Sequence, residues 1–408
     1  MIQTQDPAPG AEPLLISEKR SPALHLNFLD GLRAITALYV VLHHAFRELP
    51  VNTNPYVKLV TYPFRFGGAG VAVFIVLSGF CLMIPVARNN SKLKDSTGKF
   101  LIKRAKRILP TYYLAMLFAL IMFYTVVGND TTTHWKGMGP VSYKDIITHI
   151  LLIHNIFYDT SRTINYCFWS IAVEWYIYFL FPIIVFFWRK FNAVKTTLAT
   201  VLIAALIQVF LSRFQENLNV KFISPIFIGL FGLGMFAAHV SFSNNKSLTF
   251  LKNFRYWPVV LLITFMLFLS GHFAHSFYQK IEGPLLTSGS LLPTIYTGLF
   301  ASSLLIALST NKLTGFRKFL SLKPLVSIGT FAYSIYLIHA PLIEVVMRYV
   351  ILPLNMGIIA NLIILTFAGG AFIITVSYGF YLIAEKPFLN TKRASATTSD
   401  AVQPLAVS

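Results

Sequence analysis

The amino-acid sequence predicts an all-α, polytopic integral membrane protein with about ten transmembrane helices. Hydrophobic residues make up 55% of the 408-residue chain and charged residues only 12%, about half the charged share of a soluble globular domain. Mean hydropathy is +0.65. The apolar residues gather in windows of about 20, the length an α-helix needs to cross a bilayer, and short basic segments separate them.

In chain order the apolar windows fall at 28–48, 68–87, 110–128, 166–188, 196–212, 222–241, 257–276, 288–309, 325–347 and 357–384. The window at 196–212 is the shortest. An extra apolar piece at 146–158 (IITHILLIHNIFY) is too short and too polar to cross, and reads as a re-entrant or interfacial segment. Residues 1–25 lack a basic start followed by an apolar core, so they read as a disordered cytoplasmic tail rather than a cleaved signal. Residues 390–408 read as a second disordered cytoplasmic tail, leaving 26–389 as one transmembrane domain. No pair of spans repeats another, which argues against an inverted-repeat transporter.

The net charge of +19 does not point to nucleic acid, because the basic residues sit in loops between apolar runs as orientation signals do. With ten spans, the segments on the side of the N-terminus hold 24 of the 34 Lys and Arg. This bias puts both termini in the cytoplasm, and the protein is expected in the cytoplasmic (inner) membrane. The two cysteines, Cys81 and Cys167, have no CxxC or metal-type spacing, so neither a disulfide framework nor a metal site is expected.

Within the first span, NFLDGLRAITALYVVLHHAFRE, Arg33 and His44 stand 11 residues apart. On a helix that is ~16 Å of rise and ~20° of residual rotation, so the two share a face. Ionisable residues inside a membrane are costly and by default mark function. A neutral imidazole at His44 suits a general base taking a proton from a hydroxyl, although a histidine can also simply bond across a helix bundle. Asp30 stands one turn before Arg33 and is placed to pair with it, whereas His43 is rotated by about 100° and faces elsewhere.

Five basic residues (Lys99, Lys103, Arg104, Lys106 and Arg107) lie within nine positions at the head of the third span. That density suits an anionic ligand rich in phosphate; contact with lipid headgroups uses the same chemistry. Glu174 is the lone acid in CFWSIAVEWYIYFLFP, where a carboxyl either serves chemistry or clamps two spans. Tyr333, Tyr336 and His339 recur at i, i+3 and i+6 and form a polar stripe facing the bundle interior, with Pro341 able to kink the span beyond it. Ser78 lacks a GxSxG elbow, and its neighbours Gly67, Gly68, Gly70 and Gly79 read as close-packing residues.

The blocks LDGLRAITALYVVLHH, GVAVFIVLSGF, KRAKRILPTYY and WSIAVEWYIYFLFP, followed by YSIYLIHAPL and YLIAEKPF, resemble in order the signature blocks of the acyltransferase type 3 family of membrane O-acyltransferases. The resemblance extends from about residue 26 to 389. It implies a multi-pass enzyme that moves an acyl group, usually acetyl from cytoplasmic acetyl-CoA, onto a hydroxyl of a carbohydrate or lipid-linked glycan, as in surface polysaccharide modification. It further implies that His44 is the essential histidine with Arg33 its partner, that Arg104 and Arg107, with Lys103 beside them, hold the CoA phosphates, and that Glu174 is the acid of the WS-x3-E block. Tyr333, Tyr336 and His339 would then line the substrate path. One departure is Ala72, where members commonly carry Asp, with Ile75 replacing a Phe. Some members append a soluble domain, so here the acceptor is expected to be met within the membrane portion. The reading from sequence is thus an O-acetyltransferase whose partners are acyl-CoA, a glycan and membrane lipids, with no metal and no nucleic acid. A membrane exporter or glycan-binding component that keeps the fold without the chemistry is the alternative.

Overall fold

The computed structural model describes residues 26–128, 133, 135, 138–244, 248–274, 277 and 291–389; both expected tails lie outside the described residues. The described chain is all-helical, 81% helix with no strand. The principal helices are α1 (Asn27–Arg47), α2 (Gly67–Ala87), α3 (Thr97–Met122), α4 (Tyr143–Ile150), α5 (Trp169–Phe191), α6 (Ala193–Ser212) and α7 (Ile226–Phe242). They continue with α8 (Trp257–Phe273), α9 (Leu291–Ser309), α10 (Thr314–Leu320), α11 (Lys323–Thr330), α12 (Ala332–Val346) and α13 (Ile358–Phe388), the last interrupted by π turns.

Among the described residues, eight helices are long and apolar enough to cross a membrane by length and composition. They occupy eight of the ten expected windows. The other two windows also hold helices that fall short for identifiable reasons. The first, α1, is 21 residues long but carries Asp30, Arg33 and Arg47, while α8 is an apolar helix of only 17 residues. Ten helices therefore occupy the ten windows, and eight of them carry a membrane-crossing signature.

Local chemistry explains several boundaries. Ser96 caps α3 by accepting from Lys99 N–H, so the basic cluster rides on the opening turns of the helix that becomes the third span. Asn192 adopts φ 95°, ends α5, and accepts from Lys195 N–H to start α6, which makes the α5–α6 connection a single residue. The segment expected as re-entrant, 146–158, begins within the eight-residue α4, which a reciprocal Ser142–Asp145 cap opens, and includes a 3-10 turn at His154–Ile156. The ninth window starts later than expected. Lys323–Thr330 forms its own short helix, and the buried helix begins at Ala332.

Packing follows small residues, as expected where lipid gives helices no hydrophobic reason to associate. The backbones of α2 and α7 touch: a Cβ on Gly79 would lie 2.2 Å from the Phe231 carbonyl oxygen, and one on Gly234 2.0 Å from that of Val76. The start of α1 grips α10 and α11 in the same way, with Gly31 against the Leu320 carbonyl and Gly329 against that of Asp30. Gly67 and Gly70 also pack closely, against His43 and Val40, but Gly68 faces open space, contrary to the close-packing role expected of it. Helix α1, flanked by α2, α10, α11 and α12, is central, and it carries both Arg33 and His44.

Candidate active site

Two polar centres lie along α1. The first surrounds Arg33, whose guanidinium pairs with Asp30 and reaches Cys81 Sγ on α2 at 3.0 Å. One turn back on α2, the Ser78 hydroxyl donates to Glu174 Oε1 at 2.8 Å, and the Tyr178 hydroxyl donates to the same oxygen. The guanidinium of Arg104, stacked over Phe100 at 5.8 Å, is within electrostatic reach of Glu174, Tyr178 and Cys81. Its Nε is buried with no hydrogen-bond partner among the described residues.

Of the other basic residues in the cluster, Lys103 is half-exposed and paired with Asp95, whose carboxyl it holds below the usual carboxylate range. Arg107 and Arg33 both lie within reach of Glu385 on α13. The Glu385 carboxyl accepts from Ser334 Oγ at 2.6 Å and from Ser334 N–H at 3.2 Å. Tyr333 points its hydroxyl into the same region, buried and without a hydrogen-bond partner among the described residues.

The second centre surrounds His44. Its ring lies 5.3 Å from that of His339 and 4.8 Å from that of Tyr166. The sulfur of Cys167, in the loop leading into α5, sits 3.4 Å from His339 Nε2 and 3.8 Å from His44 Nε2. These three residues form a group whose donor atoms all lie within 4.8 Å of one another, a set that a zinc-type ion would accept. His43, as the helical rotation predicts, faces elsewhere, with Nδ1 2.7 Å from the Phe64 carbonyl. Beside it opens a cleft of about 200 Å³ lined by Phe46, Arg47, Lys58, Thr61 and Arg65.

Polar side chains at helical spacing join the two centres. Cys81 and Ser78 are one turn apart on α2, and Glu174 and Ser170 one turn apart on α5. Ser170 Oγ lies 2.6 Å from the Tyr336 hydroxyl, which donates to the Cys167 carbonyl at 3.2 Å. The series runs from Arg33 and Arg104, through Ser78, Glu174 and Ser170, to Cys167, His339 and His44.

The structure thus brings His44 together with His339, and puts Arg104 within electrostatic reach of Glu174 and of Cys81, the sulfur that Arg33 contacts. It does not bring Arg33 or Glu174 to His44: Arg33 bonds Asp30 and Cys81, and Glu174 bonds Ser78 and Tyr178. The sequence reading did not single out Cys167, Ser170 or Glu385 for the site. Glu385 carried a readable signal, a lone acid closing an apolar span. Cys167 carried none, since its histidine partner lies 172 residues away.

Comparison with known proteins identifies the family. A family model described as an acyltransferase domain matches residues 26–382. The O-acetyltransferase OatA of Staphylococcus aureus strain NCTC 8325 is 24% identical over 355 residues, covering 81% of this chain and 53% of that protein. A putative O-acetyltransferase of S. aureus strain COL is 29% identical over 172 residues, covering 38% of this chain and 24% of that protein. The chain therefore spans about half the length of the first of these relatives, and no solved structure matches it. With the family match extending over residues 26–382, the chain belongs to the acyltransferase type 3 family that its sequence blocks resemble.

Proposed function

We propose that the protein is a membrane O-acetyltransferase that moves an acetyl group from cytoplasmic acetyl-CoA to a hydroxyl of a carbohydrate or lipid-linked glycan. The observation that carries this reading is the series of polar side chains running through an apolar bundle from a basic end to His44. Each of these groups costs free energy in a membrane interior unless it is used or satisfied. The family match and the relatives named O-acetyltransferase support the same reaction class.

In this reading the basic end faces the cytoplasm, in line with the excess of Lys and Arg there. Arg104 and Arg107 pair with the CoA phosphates, and Lys103 adds charge at the rim. The pantetheine arm enters between α2 and α5, where Ser78, Glu174 and Tyr178 offer hydrogen bonds to its amides. Arg33 neutralises the acids near the entrance. The acceptor hydroxyl arrives from the opposite end, and His44, partly exposed and close to His339 and Cys167, takes its proton as oxygen attacks the acyl carbonyl.

The test is acetyl-CoA-dependent acetylation of cellular glycans, followed by mass spectrometry in a deletion strain carrying either the wild-type protein or His44→Ala. Removal of a positioned general base costs about 10²–10⁴-fold, so the acetyl increment should vanish. Wild-type acetylation by a His44→Ala protein present at normal membrane level would refute the reading.

A further inference from the structure

We infer that Cys167 is a catalytic nucleophile that carries the acyl group as a thioester between donor and acceptor, with His339 as its base. This rests on the acyltransferase reading above and adds a covalent step to it.

The first support is how firmly Cys167 is held. Its N–H donates to Asn165 Oδ1 at 3.0 Å, and Asn165 Nδ2 donates to the Leu337 carbonyl at 2.9 Å. Its carbonyl accepts from Tyr336, the residue next to Leu337 on the same helix, and from Ser170. A loop residue is thereby fixed on both sides of its peptide to α12, the helix that carries His339. Fixing nucleophile and base on one rigid frame keeps their geometry as substrates come and go.

The second support is the direction in which His339 points. Its Nδ1 lies 2.8 Å from the Tyr336 carbonyl oxygen and 3.1 Å from that of Ile335. A carbonyl can only accept, so Nδ1 bears the hydrogen, and in the neutral ring Nε2 keeps its lone pair. That lone pair faces Cys167 Sγ at 3.4 Å. Nucleophile, base and a third group that orients the base are the parts of an activated nucleophile.

The third support is the presence of a second histidine. His44 Nε2 also reaches the same sulfur, at 3.8 Å, so each half-reaction has its own base. Cys167 and His339 are 2% and 0% exposed, whereas His44 is partly exposed toward the end where an acceptor would enter. Burial of this kind keeps water from hydrolysing a reactive intermediate.

In the first half-reaction the Cys167 sulfur attacks the acyl carbonyl carbon of acyl-CoA. The new C–S bond to Cys167 forms and the C–S bond to CoA breaks. The thiol proton passes through His339 to the departing CoA sulfur. In the second, the acceptor oxygen attacks the thioester carbon, a C–O bond forms and the C–S bond to Cys167 breaks. The hydroxyl proton passes through His44 to the Cys167 sulfur. No oxidant, reductant or further reactant is needed, and one thioester is exchanged for another before the ester is made.

The test uses the full-length protein in detergent with acetyl-CoA and no acceptor. The wild type should gain the mass of one acetyl group on the peptide containing Cys167, released by neutral hydroxylamine, and should exchange labelled CoA into acetyl-CoA. Cys167→Ala should lose both signals and slow glycan acetylation by at least about a hundred-fold. Cys167→Ser, which keeps the shape, should fold and give at most an acetyl adduct that neutral hydroxylamine leaves in place. His339→Gln should slow formation of the thioester, whereas His44→Gln should let it accumulate. EDTA should leave the exchange unchanged.

If Cys167→Ala acetylates glycans within a few-fold of wild type and the wild type shows no exchange, the covalent step is overturned while the transferase reading stands. If chelation abolishes the exchange, the three residues hold a metal ion instead and the proposal also falls. If His44→Ala acetylates normally, the transferase reading itself has failed.

Discussion

Ser78 on α2 and Glu174 on α5 are joined by a hydrogen bond of 2.8 Å across two apolar helices, with Tyr178 donating to the same carboxyl oxygen. Hydrogen bonds to a carboxylate contribute about 1.5–3 kcal/mol each, and leaving a buried donor unsatisfied costs a similar amount. Glu174→Gln keeps one acceptor oxygen for both donors. It should therefore fold, with glycan acetylation slowed about 10- to 100-fold if the carboxylate charge serves the donor. Glu174→Ala removes the acceptor altogether and should also lower the melting temperature in detergent. Equal activity of wild type and Glu174→Gln, alongside a less stable Glu174→Ala, would make the residue a clamp between helices.

The basic residues at the head of α3 differ in their surroundings, which separates their expected roles. Arg104 is half-buried within electrostatic reach of Glu174, with its Nε buried and unpartnered among the described residues, whereas Lys103 is half-exposed and paired with Asp95. Arg104→Gln should raise KM for acetyl-CoA about tenfold or more with a smaller change in kcat, as loss of a phosphate contact made equally in ground and transition states requires. Lys103→Gln should change KM by less, because an exposed ion pair is worth about 0–1 kcal/mol. Steady-state kinetics at two ionic strengths checks both. A larger KM effect from Lys103→Gln would move the phosphate seat out toward the rim.

What the sequence made legible were the features that a membrane forbids without cause. Arg33, His44 and Glu174 stand out because charge in an apolar run is rare, and the stripe of Tyr333, Tyr336 and His339 follows from helical spacing. Asp30 was legible as a partner of Arg33, but the partners on other helices were not. The meeting of His339 with Cys167 depends on a loop folding onto a helix 172 residues further on, and no local pattern encodes that. Arg33 and His44 share a helix, but each is engaged by different neighbours, which rise per residue cannot foretell. Glycine content announced close packing without revealing which glycines face a neighbour.

Gly79 and Gly68 make that distinction testable. Both lie on α2, yet a Cβ on Gly79 meets the Phe231 carbonyl at 2.2 Å, while one on Gly68 meets nothing within 4 Å. Gly79→Ala must push α2 away from α7 and should destabilise the protein by about 1–3 kcal/mol, as overpacking of a close-packed interior does. Gly68→Ala should be neutral or slightly stabilising, since alanine loses less backbone freedom in a helix than glycine. Thermal unfolding of the two variants in detergent checks the contrast. A Gly79→Ala protein as stable as wild type would mean that the α2–α7 contact is looser than the backbone approach indicates.

A pair of histidines outside the spanning helices ties stability to pH. His149 and His154 stack face to face with ring centroids 3.9 Å apart and planes at 9°, both fully buried. Burial pushes His149 down to about 4 against the partial support of the Asp145 backbone carbonyl, and burial together with His149 pushes His154 well below the usual imidazole range. The folded protein thus keeps both rings neutral where the unfolded chain would take up protons below about 6.5. Because the unfolded state then binds more protons, folding stability is complete above about pH 6.5 and falls as pH drops toward 4. For His149 the loss approaches about 3 kcal/mol over that window. His149→Asn keeps a donor for the Asp145 carbonyl and cannot take a proton, so its melting temperature should fall less steeply between pH 6.5 and 4.5 than that of wild type. Parallel slopes for the two proteins would show that His149 takes up no proton on unfolding in this range.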